Sequence, residues 1–130
     1  MALAGLGRFL LGGDDAGLLD QALSNLLENV GAHTPPGTPV SIVGRIESGH
    51  VRLVVSDAGP GIPVVARDRV FGKFQRLNDG GIGTGLGLAI ARAATEAQDG
   101  HLMLGESPLG GAQFTILVPI QAAAEVADAG

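Results

Sequence analysis

A chain of 130 residues with a net charge of −5 has room for one domain and not comfortably for two. It cannot offer the large basic surface that grips nucleic acid or an anionic membrane irrespective of sequence. Apolar residues at 45% and charged residues at 16% exclude a solvated disordered tail, and the lack of cysteine excludes disulfides and thiolate centres.

Residues 1–7 are small and apolar and read as a linker; residues 8–11 read as a short edge strand. The segment shows no signal-peptide pattern. Asp14 or Asp15 is the expected N-cap of a helix over 17–33. Leu19, Ala22, Leu23, Leu26 and Val30 fall on one stripe of that helix. Thr34-Pro35-Pro36-Gly37 stops it. Residues 40–47 and 50–57 are β-rich, and the two-residue link Ser48-Gly49 predicts an antiparallel hairpin. A Gly/Pro loop over 58–63 follows, then a short helical stretch within 64–76. A Gly-rich loop over 78–85 precedes a second helix from Leu86 to about Asp99, ended by Gly100. Two strands, 101–106 and 113–120, flank a loop over 107–112. No apolar run approaches the ~18 residues of a membrane span. The reading is a soluble cytoplasmic domain over residues 13–120, preceded by linker or edge strand 1–12 and followed by a disordered tail 121–130. Interleaved helices and hairpin-linked strands predict an α/β sandwich with one mixed sheet and the helices on one face.

Four features carry chemistry. Asn25 and Asn29 lie four apart on the first helix, share a face with Ala32, and flank the apolar stripe. Such a pair is either polar surface at a helix boundary or a source of carboxamide oxygen for Mg²⁺, a hard cation. Asp57-Ala58-Gly59-Pro60-Gly61-Ile62 follows a strand directly. It is either an Asx-type turn or an acceptor carboxylate, set beside glycines that let a flat ligand approach the backbone. In Val70-Phe71-Gly72-Lys73-Phe74-Gln75-Arg76 the two Phe read as core anchors. Lys73 and Arg76 are either solvated or face phosphate. Gly80-Gly81-Ile82-Gly83-Thr84-Gly85-Leu86-Gly87 opens a helix and is either a linker or an anion cradle of exposed N–H groups at a helix N-terminus. It has neither the lysine of a P-loop nor the spacing of a dinucleotide fold. The three histidines, His33, His50 and His101, are not at metal-ligand spacing.

In this order, the Asn-x3-Asn helix, DxGxGI loop, FxxFxR segment and GTGLGL run resemble the N box, first glycine box, F box and second glycine box of the sensor histidine kinase ATP-binding domain. Ser107-Pro108-Leu109-Gly110-Gly111-Ala112-Gln113-Phe114 is similar to the last glycine box. The resemblance implies a Bergerat-type two-layer sandwich, with a mixed sheet of about five strands and about three helices on one face. It implies Mg²⁺ and ATP as cofactors and a mobile lid. It assigns Asn29 to Mg²⁺, Asn25 to the phosphate side and Asp57 to the adenine amine. Gly59 and Gly61 go to the base and Arg76 to phosphate, with Ile62 and Lys73 also among the ATP-binding residues. Gly83, Gly85 and Gly87 go to the triphosphate cradle, with Thr84 and Leu86 beside them among the ATP-binding residues, and Phe71 and Phe74 to the base of the lid.

Two departures stand out. The family's N box carries Lys and then an aromatic where this chain has Ala32 and His33, and no phosphoacceptor hairpin is legible. The resemblance therefore implies the catalytic half of a two-component protein-histidine kinase, with no catalytic residue of its own. The accepting histidine lies on a separate dimerisation domain, and a response-regulator receiver domain is the next partner. The isolated domain is expected to be a monomer without affinity for nucleic acid, its parent a homodimer anchored in the inner membrane. Rival readings are a stand-alone anti-sigma-factor serine kinase, a hydrolytic clamp of the same superfamily and a non-enzymatic nucleotide-binding module. Asn25 stands where the clamps place a Glu as general base, and a carboxamide cannot accept that proton.

Overall fold

The computed structural model describes residues 16–67, 69–71 and 87–120. Helix α1 runs over Ala16–His33 and buries its stripe completely: Leu19, Ala22, Leu23, Leu26 and Val30 are at most 4% exposed. At its end the Thr34 hydroxyl donates to the Val30 carbonyl at 2.7 Å, and two prolines prevent a further turn. The expected N-cap residues lie outside the described residues.

Strands β1, Val40–Glu47, and β2, His50–Asp57, form the expected hairpin with Glu47 opposite His50. Ser48 and Gly49 both take positive φ, 52° and 74°. That is the turn whose twist suits two antiparallel strands. Two 3-10 turns, Val64–Ala66 and Arg69–Phe71, replace the expected short helix. Helix α2 covers Gly87–Glu96, and β3, His101–Glu106, and β4, Ala112–Pro119, complete a sheet of order β1-β2-β4-β3.

The fold class is the two-layer sandwich expected. Among the described residues the sheet has four strands in three antiparallel ladders, against about five in a mixed sheet. Two hairpins joined through β2 and β4 give only antiparallel pairs. The register sets the core. Val51, Leu53 and Val55 on β2 lie opposite Val118, Ile116 and Phe114 on β4, and all six are almost fully buried beneath α1 and α2. One sheet face is thus apolar by the period-two rule, and the helical stripes close over it.

The end of α2 departs from expectation. Asp99, not Gly100, takes the left-handed conformation, with φ 60°. Its N–H donates to the Glu96 carbonyl at 3.0 Å and that of Gly100 to Thr95 at 3.0 Å, the two bonds of a Schellman ending. Gly100 is required by packing. A Cβ there would lie 2.5 Å from Val118 Cγ1 and 2.6 Å from the Leu117 carbonyl.

Candidate functional site

Asp57 is the last residue of β2 and is 3% exposed. At a strand end the ladder stops, and backbone N–H groups of the adjoining loops become available to the last side chain. Asp57 Oδ1 accepts the N–H of Gly59 at 2.8 Å and that of Ala112 at 3.2 Å. Neither bond falls on Oδ2, so among the described residues the second oxygen retains its acceptor capacity. The first bond is the Asx-type turn; the second reaches across 55 positions of sequence. Turn and acceptor are therefore compatible at this residue.

Gly59 is pressed between two walls. A Cβ there would meet Thr34 Cγ2 at 2.6 Å and Asp57 Oδ1 at 3.1 Å. Gly61 has φ 76°, a backbone state L side chains rarely adopt, and its α-carbon faces the Gly111 backbone, which a Cβ would meet at 3.5–3.7 Å. Ile62 is half-buried against the core, and its carbonyl accepts from Arg67 Nε at 3.1 Å. The loop after β2 is thus held by its neighbours rather than hanging in solvent.

Between this loop and the end of α1 lies an open groove of about 530 Å³. Ala32, His33, Thr34 and Pro35 line one side, Ala58, Gly59 and Pro60 the other. His33, which replaces the family aromatic, is half-buried in that lining.

Asn25 and Asn29 are half-buried on α1. Asn25 Nδ2 donates to the Gln21 carbonyl at 2.8 Å, which fixes the amide and leaves its oxygen as an acceptor. Gly87, the first residue of α2, packs on the same turn: a Cβ there would lie 3.6 Å from the Asn25 carbonyl. The structure therefore brings Asn25 beside Gly87, and Asp57 beside Gly59, Gly61 and the β3–β4 loop. Phe71 packs on the core as expected. Lys73, Phe74, Arg76, Gly83, Thr84, Gly85 and Leu86 lie outside the described residues, as does the expected lid. No group of three His, Cys, Asp or Glu among the described residues is placed to hold a metal, and no described helix is long and apolar enough to cross a membrane.

Thr34, Gly111 and Ala112 had no assigned role in the sequence. The Gly110-Gly111 pair is a visible signal, but nothing local says that it meets Asp57.

The family of histidine kinase-, DNA gyrase B- and HSP90-like ATPases matches residues 14–122. The chain belongs to this family. Within it the ATPase domain is of the sensor histidine kinase kind. It is 38% identical over 109 residues to the sensor-like histidine kinase SenX3 of Mycolicibacterium smegmatis, covering 81% of this chain and 28% of that protein. The structure of the mycobacterial sensor histidine kinase MprB superposes with a TM-score of 0.70 at 35% identity, over 82% of this chain and 72% of that one. Full-length ShkA, solved with AMPPNP, gives 0.69 at 33% identity over 80% of this chain and 22% of that one. The ATPase domain thus spans little more than a quarter of SenX3.

Proposed function

We propose that this domain binds Mg·ATP with Asp57 facing the adenine amine, and donates the γ-phosphoryl group to a histidine on a dimerisation domain outside these 130 residues. The observation that carries the reading is the Asp57 carboxylate, buried at a strand end with one oxygen held by two amides. A fixed acceptor beside close-packed glycines distinguishes an exocyclic amine from a carbonyl.

The chain's own residues bind and orient. Oδ2 of Asp57 accepts the amine, and Gly59 and Gly61 admit the base edge. The groove beside His33 takes the ring, and the helix face that carries Asn25, Asn29 and Ala32, with Gly87 packed on it, sits toward the phosphates. Arg76, Gly83 and Gly85 are assigned to the phosphates by the family pattern, with Lys73, Thr84 and Leu86 also among the ATP-binding residues. Asn29 supplies one neutral oxygen, which fits Mg²⁺, since that ion keeps several waters and takes few protein ligands alongside phosphate oxygens. Held there, the ion would supply positive charge against the phosphate groups. In the transfer itself an imidazole nitrogen of the acceptor forms a bond to the γ-phosphorus, the bond to the β–γ bridging oxygen breaks, and ADP leaves with that electron pair. The domain supplies positioning and charge stabilisation.

The parent is proposed to be a homodimer, anchored in the inner membrane with this domain on the cytoplasmic side, that passes the phosphoryl group to a response-regulator receiver domain. The named sensor kinases among its relatives support this.

Titration with Mg·ATP and Mg·GTP, followed by incubation with γ-labelled ATP, tests the reading. Binding selective for ATP without self-labelling is expected. Acid-labile, alkali-stable label on this chain alone, or equal affinity for both nucleotides, would overturn it.

A further inference from the structure

We infer that Gly111 and Ala112, at the turn between β3 and β4, are positioning residues for Asp57, so that this hairpin loop sets the selectivity of the site for its base. The inference rests on the adenine reading of Asp57 given above.

Three contacts tie the loop to that residue. The Ala112 N–H donates to Oδ1 at 3.2 Å, and the Gly111 N–H donates to the Asp57 carbonyl at 3.0 Å. The α-carbon of Gly111 is packed so closely that a Cβ would fall on the Asp57 carboxylate. That Cβ would also lie 2.6 Å from the Asp57 carbonyl oxygen and 2.7 Å from the Gly59 nitrogen. Two of these neighbours are backbone atoms, which cannot swing aside as a side-chain tip can. Gly111 is therefore excluded from bearing a side chain by the very group it orients.

The loop is itself held in shape. Ser107 N–H donates to the Gly111 carbonyl at 2.8 Å, and Gly110 N–H donates to the Ser107 carbonyl at 2.9 Å. The Ser107 hydroxyl accepts from Leu109 N–H at 2.9 Å, and both Ser107 and Gly111 are buried. On its other side Gly111 faces Gly61, so one residue contacts both ends of the loop that follows β2. With the Gly59 amide alone, Oδ1 has one donor and the carboxylate plane is free to turn. The second amide, from a different part of the chain, fixes that plane and with it the direction of Oδ2. Selectivity requires a fixed direction, because a carboxylate that turns away from a carbonyl no longer rejects it.

The test is a cycle of wild type, Gly111→Ala, Asp57→Asn and the double variant, titrated with Mg·ATP and Mg·GTP. Gly111→Ala is expected to weaken ATP by roughly ten- to a hundredfold, the scale of a lost hydrogen bond to a charged group, with GTP nearly unmoved. In the Asp57→Asn background the same change should cost less than about twofold, since contacting residues are not additive. Equal loss of both nucleotides, or the full loss again in the Asp57→Asn background, would overturn the inference. If Asp57→Asn weakens ATP while Gly111→Ala does not, positioning fails and the adenine reading stands. If Asp57→Asn leaves ATP binding intact, the adenine reading fails and takes this inference with it.

Should Gly111→Ala not fold, the wild-type chain decides. Amide resonances of Gly59 and Ala112 should both move when Asp57→Asn replaces the carboxylate oxygen that they share. An Ala112 amide that does not follow Gly59 would overturn the inference.

Discussion

The ring of Phe71 meets that of Phe114 edge-on, with centroids 6.5 Å apart and planes at 86°. Phe114 is buried near the start of β4, whereas Phe71 is half-buried at the end of the second 3-10 turn. The pair ties the segment that leaves the Asp57 loop to the core of the sheet. The Arg92 guanidinium of α2 lies over the same Phe71 ring, 5.5 Å from its centroid, and also bonds Glu96 at 3.2 Å.

Removing the ring should cost more than removing the cation. Phe71→Ala is expected to lower stability by about 2–3 kcal/mol, somewhat below a fully buried Phe truncation. Arg92→Ala should cost about 1 kcal/mol or less, because its contacts are half-exposed. Urea unfolding of both variants checks the order. Equal costs would mean that the cation, not the edge-on ring, holds this turn.

Ala32 lines the groove beside His33 and across from Gly59. A lysine there adds a cation close to bound phosphate. The attraction is about 4 kcal/mol at most for an effective dielectric near 20 at 4 Å, and desolvation with lost side-chain freedom reduces it to about 1 kcal/mol. Ala32→Lys should tighten ATP several-fold and leave adenosine unchanged. Calorimetry with both ligands separates this from a general stability effect, which would move the two together.

Asn29 is the metal-facing residue of the proposal, so its effect should depend on the metal. Chelating Mg²⁺ is expected to weaken ATP binding in the wild type. In Asn29→Ala the difference between Mg·ATP and metal-free ATP should shrink, by about 1–2 kcal/mol if one hydrogen-bond-scale ligand contact is lost. Adenosine affinity should not change in either condition. Competition binding with and without chelator reads all three quantities.

Gly100 follows a helix end whose left-handed residue is Asp99, and its own constraint is space. Gly100→Ala drives a methyl group into Val118 Cγ1 and two backbone carbonyls. It should destabilise by about 2–3 kcal/mol, within the range for overpacking a tight core. Thermal melting of the variant is the check; a neutral result would show that β4 can shift to make room.

The local patterns needed no tertiary information. The stripe on α1 is buried residue for residue because a 3.6-residue period leaves it only one face to present. The Ser48-Gly49 turn follows from two positions that must both take positive φ. The order of the Asn pair, the Asp57 loop and the glycine runs pointed to the proposed site because each demands a residue type that local geometry explains: a carboxamide, a carboxylate at a strand end, and backbone without Cβ. What only the fold decided lies in contacts between distant segments. The sequence shows Gly110-Gly111 and shows Asp57, yet their meeting depends on β2 pairing with β4 in one register, with Ser56 opposite Gln113. That register brings the Ala112 amide onto Oδ1. The same holds for the helix end at Asp99 and Gly100. Local rules expect glycine in the left-handed position, but the closeness of β4 requires it one residue later. Short-range preference chooses which segments become helix or strand. Which backbone amide reaches which buried carboxylate is set by how the two layers close, since that spacing belongs to no single stretch of the chain.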